Sequence, residues 1–375
     1  MKRMQNNKIL FLLAIVMAMS FLSSCVRETN PREKNQTDLP ERLLLKNYNP
    51  KSIYNVPETI VNSALFPAID MHAHDYAKNH EGLEQWVNTL DKVGIKKVMI
   101  LSYKHGAEFD SLVDLYSAYP DRFQLWCGID YSEYKSADFE EKAIAELMRC
   151  YKMGARGVGE LGDKGSGLYY SKPPADGMHP DDERMDPIWE KCAELGMPVN
   201  IHVADPKWMY LEMDSTNDGM MNAYKWRLDN KPGIKSHEEM INILERTVMK
   251  HPKTTFIACH IANCSYDLNK VAELLNKYPN LHLDISARFA EICATPRTTR
   301  DFMIKYQNRL LYGTDMGRSE NMYKYTFRLL ETSDEHIYSD YSSYHWPLHA
   351  LNLPGETLEK LYRSNAEKII NTKSL

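Results

Sequence analysis

Eight apolar, β-type segments alternate with eight amphipathic helical ones from about Phe66 to the end of this 375-residue chain. Alternation of that kind builds a parallel sheet with crossover helices, and eight parallel strands close into a cylinder. The strands are expected at Ala68–His72, Lys97–Leu101, Phe123–Ile129, Gly157–Leu161, Pro198–Val203, Thr255–His260, Leu281–Ile285 and Leu310–Thr314. The fold class is therefore α/β, a (β/α)8 TIM barrel placed over residues 56–375.

Helix punctuation agrees with this reading. Ser136 or Asp138 caps a helix over Glu140–Met153 that Gly154 ends, and a helix over Asp186–Leu195 stops at Gly196 and Pro198. Joins from helix to strand are short, whereas three joins from strand to helix are long, at about 162–185, 204–235 and 316–354. In a barrel the second kind opens on the face where the strand C-termini lie, so these loops are expected to wall the pocket. They carry Tyr169, Tyr170, Trp208, Tyr344 and Trp346. Such rings stack on a ring-shaped ligand or hold the loops to the rim, and Trp208 is taken as a candidate substrate contact.

Four strands end in side chains that bind metals: Asp70-Met71-His72-Ala73-His74, Asn200-Ile201-His202, Cys259-His260 and Gly313-Thr314-Asp315. Alternation along a strand predicts that Asp70, His72 and His74 share one face, and that Phe256, Ala258 and His260 share another. His72, His74, His202 and Asp315 together make a mixed nitrogen and oxygen donor set. Zinc suits it best, with manganese, iron or nickel as alternatives. A dication with an open position acidifies bound water and polarises a carbonyl, and Asp315 is placed to take the water's proton.

His260 is expected to face the cavity as an oxyanion donor or proton relay, with second-metal ligation as the competing role. Asp70 is expected one layer deeper, orienting His72 or stabilising the barrel interior rather than binding metal, and Asp284 follows similar logic on the seventh strand. Arg288 lies just past that strand, where it either clamps a substrate carboxylate or makes a rim salt bridge.

With these residues in place, the chain resembles the amidohydrolase superfamily, in the branch that includes aminocarboxymuconate-semialdehyde decarboxylase. The resemblance runs from about Pro67 to Ile370. It is carried by Asp70-Met71-His72-Ala73-His74, Asn200-Ile201-His202, Cys259-His260-Ile261-Ala262-Asn263, Tyr312-Gly313-Thr314-Asp315 and Ser364-Asn365-Ala366-Glu367. It implies metal ligands at His72, His74, His202 and Asp315, with His260 as the catalytic imidazole beside them. No strand supplies an obvious metal-bridging lysine. Glu160 sits where related two-metal barrels place a carboxylate, so it is a further candidate ligand, against a structural or substrate-contacting role.

The N-terminus reads differently. Lys2, Arg3 and Lys8 precede an apolar run over Ile9–Leu22 that ends in Ser23-Ser24-Cys25. The run of 14 residues is short of the roughly 20 that cross a bilayer. It resembles a bacterial lipoprotein signal over residues 1–24, which implies lipidation at Cys25 and a polar tether and lead-in over 25–55. The expected location is the cell envelope, with membrane contact through the lipid anchor alone. The other six cysteines show no metal or disulfide spacing and are expected as buried thiols. A net charge of −5 leaves no broad basic surface, so nucleic acid is an unfavoured partner and a small molecule the expected one. The sequence leaves a homo-oligomer open.

The function expected first is a metal-dependent hydrolase that attacks an amide, ester or lactone carbonyl. Non-oxidative decarboxylation of a carboxylated ring or muconate-type acid is the alternative, with Arg288 holding the carboxylate. A lipid-anchored ligand-binding barrel without turnover is the third reading.

Overall fold

All eight expected strands form, at β1 Ala68–Ala73, β2 Ile95–Leu101, β3 Phe123–Trp126, β4 Val158–Asp163, β5 Val199–Val203, β6 Phe256–Ala258, β7 Leu281–Asp284 and β8 Leu310–Leu311. The computed structural model describes residues 40–170, 174–341 and 344–370. Cys25 and the apolar run before it lie outside the described residues. Residues 1–49 and 50–375 are two separate units; within the first, Leu45–Asn47 makes a single 3-10 turn. Among the described residues no helix is long and apolar enough to cross a membrane.

Strands β1 to β3 pair in parallel, and so do β4 to β8. Single hydrogen bonds join the two sheets into a ring. At one seam Cys127 N donates to Gly157 O at 3.0 Å and Gly159 N to Cys127 O at 2.8 Å. At the other, Met71 N donates to Tyr312 O and Asp315 N to His72 O, both at 2.9 Å. The TIM barrel is thereby closed.

Each strand splits its side chains between two layers. Val199, Ile201, Val203, Leu281 and Leu283 pack outward against the helices. The helix His80–Val93 shows why such segments are helical: Leu83, Trp86, Leu90 and Val93 fall on one buried stripe, Asn79 caps its start and Gly94, at φ 80°, ends it. Inside the barrel, Ile69, Met71, Met99, Leu101, Trp126, Ile257 and Leu311 form a separate apolar cluster. The last helix, Asn365–Ile370, adds Ala366 and Ile369 to it and is tied down by Asn365 Nδ2 donating to Leu310 O at 2.9 Å. Cys127, Cys150, Cys192, Cys259, Cys264 and Cys293 are buried free thiols.

Two expectations about facing fail for a common reason, that the strands are locally irregular. Between Asp70 and Ala73 the chain advances three residues while its partner advances two, from Val98 to Ile100. This bulge breaks alternation. Ile69 and Met71 point into the barrel, Asp70 reaches Thr314 and Tyr323 in the wall, and His72 turns back inward. On β6 the strand stops at Ala258, with Ile257 inside and Phe256 and Ala258 outside. His260 is not a strand residue; it begins a left-handed turn, at φ 59°, that redirects its ring to the cavity.

Candidate metal centre

His72 and His74 leave β1 with their Nε2 atoms toward the barrel mouth. The His72 Nδ1 is held by Asp284 Oδ2 at 2.9 Å, and the His74 Nδ1 by Leu101 O at 2.8 Å. Both acceptors fix the proton on Nδ1 and leave the Nε2 lone pair available. The Nε2 of His72 is buried with no partner, an orphan acceptor of the kind a metal satisfies. Gly313 is required beside it, because a Cβ there would lie 2.8 Å from the His72 Cβ.

Of the two roles open to Asp70 and Asp284, Asp284 orients the His72 ring and Asp70 stabilises the barrel. Asp70 instead accepts from Thr314 N at 3.0 Å and Thr314 Oγ1 at 2.7 Å, joining β1 to the end of β8; burial lifts its carboxyl to about 6. Asp284 receives the His72 ring, Asn200 Nδ2 at 3.1 Å and the amides of His260 and Ser286 at 3.0 and 3.1 Å. Although burial opposes its charge, the neighbouring His72 keeps it well below the usual carboxylate range. Ser286 Oγ lies 3.0 Å from His72 Nδ1 and 2.8 Å from His260 Nδ1, so the end of β7 positions both rings.

Glu160, from β4, stands among the four imidazoles. Its carboxylate oxygens lie 3.8 Å from His72 Nε2, 3.6 Å from His74 Nε2, 2.5 Å from His202 Nδ1 and 3.5 Å from His260 Nε2. Asp315 Oδ1 is 3.1 Å from His74 Nε2, and its Oδ2 is 3.9 Å from His260 Nε2. Among the described residues, two groups have one ligand atom per residue within 4.8 Å of all the others: His72 with His74 and Asp315, and His72 with Glu160, Cys259 and His260. His202, expected as a ligand, is in neither group: both its nitrogens are engaged, Nδ1 by Glu160 Oε1 at 2.5 Å and Nε2 by Asp205 Oδ1 at 3.0 Å. Cys259 is less suited as a ligand: its thiol donates to Asn200 Oδ1 at 2.8 Å, and burial holds it protonated.

The electrostatics are those of a place for positive charge. Burial works against a charged His72, yet Asp284, Asp315 and Glu160 push the ring up to about 10. His74 and His202 are raised against burial too, by Asp315 and Glu160 respectively. His260 moves the other way, down to about 4, through burial and the nearby Arg288 and His202. Imidazole and carboxylate donors with one unmet nitrogen fit a divalent metal ion.

Arg288 is buried, at 8% exposure, rather than a rim residue. Its Nη2 donates to Asn263 Oδ1 at 2.5 Å and its Nη1 to Ala287 O at 3.1 Å. The Nε has no hydrogen-bond partner, but Glu291 Oε2 lies 3.6 Å from it, an ion pair that answers to the salt bridge the sequence left open, though buried and not at the rim. Trp208 stands with Tyr344 and Trp346, its ring centroid 6.0 Å from each, in the wall made by the long loops.

Sequence reasoning placed Tyr170 in the pocket wall but not its contact with the site, and it missed Tyr76, Tyr103, Asp205 and Ser286. Tyr170 OH donates to Glu160 Oε2 at 3.2 Å, and Tyr76 OH to Asp315 Oδ1 at 3.4 Å. Tyr170 also stacks on Tyr103, with centroids 4.7 Å apart and planes 11° apart, and Tyr103 leans on the His74 ring. Asp205 was signalled by its place three residues after His202; its Oδ2 pairs with Lys164 Nζ at 2.8 Å. Ser286 carried no signal beyond its position after Asp284.

Comparison with known proteins places this geometry. A family model described as Amidohydrolase matches residues 69–371. The curated proteins gave no match. Among solved structures, an uncharacterised TIM-barrel protein from Bordetella bronchiseptica is similar at TM-score 0.53 and 16% identity, over 81% of this chain and 98% of that one. A 2,6-dihydroxybenzoate decarboxylase from Rhizobium is similar at 0.51 and 17%, over 82% and 99%. A dihydroxybenzoic acid decarboxylase from Polaromonas sp. JS666, with bound manganese and the inhibitor 2-nitroresorcinol, is similar at 0.52 and 15%, over 82% and 97%. At these identities the likeness extends to the fold alone. The family match, the closed barrel and the donor set lead to one assignment: this chain belongs to the amidohydrolase family and is an enzyme with a site for a divalent metal ion.

Proposed function

We propose that the enzyme removes carbon dioxide from a small carboxylated ring substrate. The observation that carries this reading is Arg288, a buried guanidinium beside the metal centre with one N–H unpartnered. A cation so placed suits a substrate carboxylate better than the carbonyl of a neutral amide or lactone. The two similar decarboxylases of dihydroxybenzoic acids support the same direction. The hydrolytic reading expected first from the sequence thus becomes the second one.

His72, His74, His202 and Asp315, with Glu160 beside them, would hold the metal. Both zinc and manganese accept such donors, and the metal when bound would polarise a substrate oxygen next to the carboxylate. The chain's own groups do the rest. Arg288 holds the carboxylate, and the Tyr103 and Tyr170 rings offer a flat wall for a planar substrate. Breaking the ring–carboxylate bond leaves an electron pair on the ring carbon, which takes up one proton as carbon dioxide departs. His260 and Asp315, 3.9 Å apart, are the groups through which that proton reaches the ring carbon.

Hydrolysis of an amide, ester or lactone keeps one observation in its favour: Glu160 contacts four imidazoles and would serve as a second carboxylate for deprotonating an attacking water. The two readings separate in one assay. Protein loaded with zinc or manganese should release carbon dioxide from hydroxybenzoates or muconate-type acids, and Arg288→Met should lower kcat/KM by about 10- to 100-fold, the loss of one charge-assisted hydrogen bond. Turnover of lactones or amides with no carbon dioxide from any acid would sink the first reading.

We also propose that the enzyme is an exported lipoprotein, held at the membrane only by a lipid on Cys25. Incorporation of labelled palmitate in cells, absent in Cys25→Ala, is the test.

A further inference from the structure

Buried arginine and carboxylate side chains ordinarily meet as hydrogen-bonded pairs, and Arg288 and Glu291 do not. Glu291 lies in the short helix Phe289–Ile292 after β7, three residues beyond Arg288, and its backbone N donates to Arg288 O at 3.1 Å. That turn brings the two side chains together. Both residues are buried, at 8% and 6% exposure, yet Glu291 Oε2 stays 3.6 Å from Arg288 Nε. The Nε–H is left without a hydrogen bond where a shift of about 0.7 Å would make one.

Two hydroxyls keep the carboxylate where it is. Ser265 Oγ, from the join after β6, donates to Glu291 Oε2, and Tyr344 OH, from the long join 316–354, donates to Oε1 at 2.8 Å. Tyr344 is fixed in turn: its OH accepts from Asn222 Nδ2 at 3.0 Å, and its ring stacks on Trp346 with centroids 4.2 Å and planes 26° apart. The guanidinium is anchored elsewhere, Nη2 to Asn263 Oδ1 and Nη1 to Ala287 O. Each partner is thus held back from the other. Burial works against the Arg288 charge, and Glu291 leads the neighbouring charges that raise the group above its ordinary value, so the carboxylate acts on the guanidinium through space.

We propose that Glu291 is a positioning residue, a counter-charge that Ser265 and Tyr344 hold off Arg288 so that the guanidinium stays open to a substrate carboxylate. The inference rests on the decarboxylation reading. In that reaction negative charge leaves the carboxylate for the ring carbon as the bond between them breaks. A bare buried cation would therefore stabilise the bound acid more than the transition state. Glu291 tempers that cation. Hydrogen-bonded to Arg288 it would block the substrate, and without it the arginine would grip the acid too firmly. The spacing of 3.6 Å avoids both.

Calorimetric titration of the metal-loaded full chain with benzoate measures the grip alone, and Arg288→Met defines the part due to the arginine. Glu291→Gln, which keeps size and an acceptor oxygen, should tighten benzoate by about tenfold, because a unit charge beside a buried cation is gone. Ser265→Ala/Tyr344→Phe should weaken it by about tenfold, because the released carboxylate closes on Nε and must be displaced. With hydroxybenzoates, kcat and KM should fall together in Glu291→Gln, leaving kcat/KM within about threefold of the parent protein. A mere tether between joins would weaken binding in both variants. Shifts in the same direction, or unchanged affinity in Glu291→Gln, therefore overturn the proposal, and a lower KM at unchanged kcat overturns the tempering of the cation. The expected benzoate shifts with no carbon dioxide from any acid would overturn decarboxylation while supporting the held-off carboxylate. Benzoate binding that survives Arg288→Met overturns both.

Discussion

The two ends of the barrel interior are built on opposite principles. At the lower end Ile69, Met71, Met99, Leu101, Ile257 and Leu311 close on one another and on Ala366 and Ile369, and aliphatic contacts dominate. At the upper end, four imidazoles and two carboxylates are packed almost as tightly, and almost every nitrogen and oxygen is spoken for. The lower end gains from burial and is indifferent to exact atoms within a class of size and shape. The upper end bears buried charge and is tolerable only if each donor faces its acceptor, or a cation takes its place. Stability and chemistry are thus divided along one axis of the same cylinder.

Substitutions should break along that axis. His72→Ala should abolish stoichiometric metal binding and lower turnover by at least about 10^3-fold, the scale of a lost Lewis acid. Metal analysis and kinetics would show it, while chemical denaturation of the metal-free forms should differ little. Met99→Ala should do the reverse: a loss of about 2–5 kcal/mol in stability, with metal content per folded molecule unchanged. If it lowers turnover without lowering stability, the division between the ends is false.

Asp284→Asn sharpens the comparison, because Asp284 lies on the boundary and contacts only the Nδ1 side of His72. Metal affinity should fall by about 10- to 100-fold while the fold persists, as for other residues that orient a ligand. A competitive chelator titration reads this directly.

The smallest effect concerns pH at the lower end. Burial, with Arg309 and Lys368 nearby, holds the His282 ring down to about 4. The unfolded ring titrates near ~6.5, so between these values the unfolded chain binds a proton that the folded chain refuses. Stability should therefore fall as pH drops from 6.5 toward 4. His282→Asn should flatten that limb of the denaturation profile, and an unaltered limb would assign the acid sensitivity to the upper end.

Much of this was legible in the sequence. Leu281, His282, Leu283 and Asp284 alternate as a strand should, and the leucines face the helices. The approach of His72, His74 and Asp315 followed from three strand ends meeting at one rim. What remained hidden were departures from regularity. One additional residue in β1 after Asp70 turned His72 inward and left Asp70 in the wall, and a left-handed turn brought His260 inward; alternation assumes neither. The hydroxyls of Tyr76 and Tyr170 come from loops, whose paths no periodicity encodes.

His72 serves the molecule twice. Its ring faces the metal centre, and its carbonyl oxygen accepts the Asp315 amide that closes the final seam between first and last strand. Cation capture and ring closure are therefore linked equilibria: an ion that steadies His72 and Asp315 also zips the cylinder shut. By the same reciprocity, thermal opening should begin at this join when the ion is withdrawn, and the saturated protein should have to lose its ion before it can unroll.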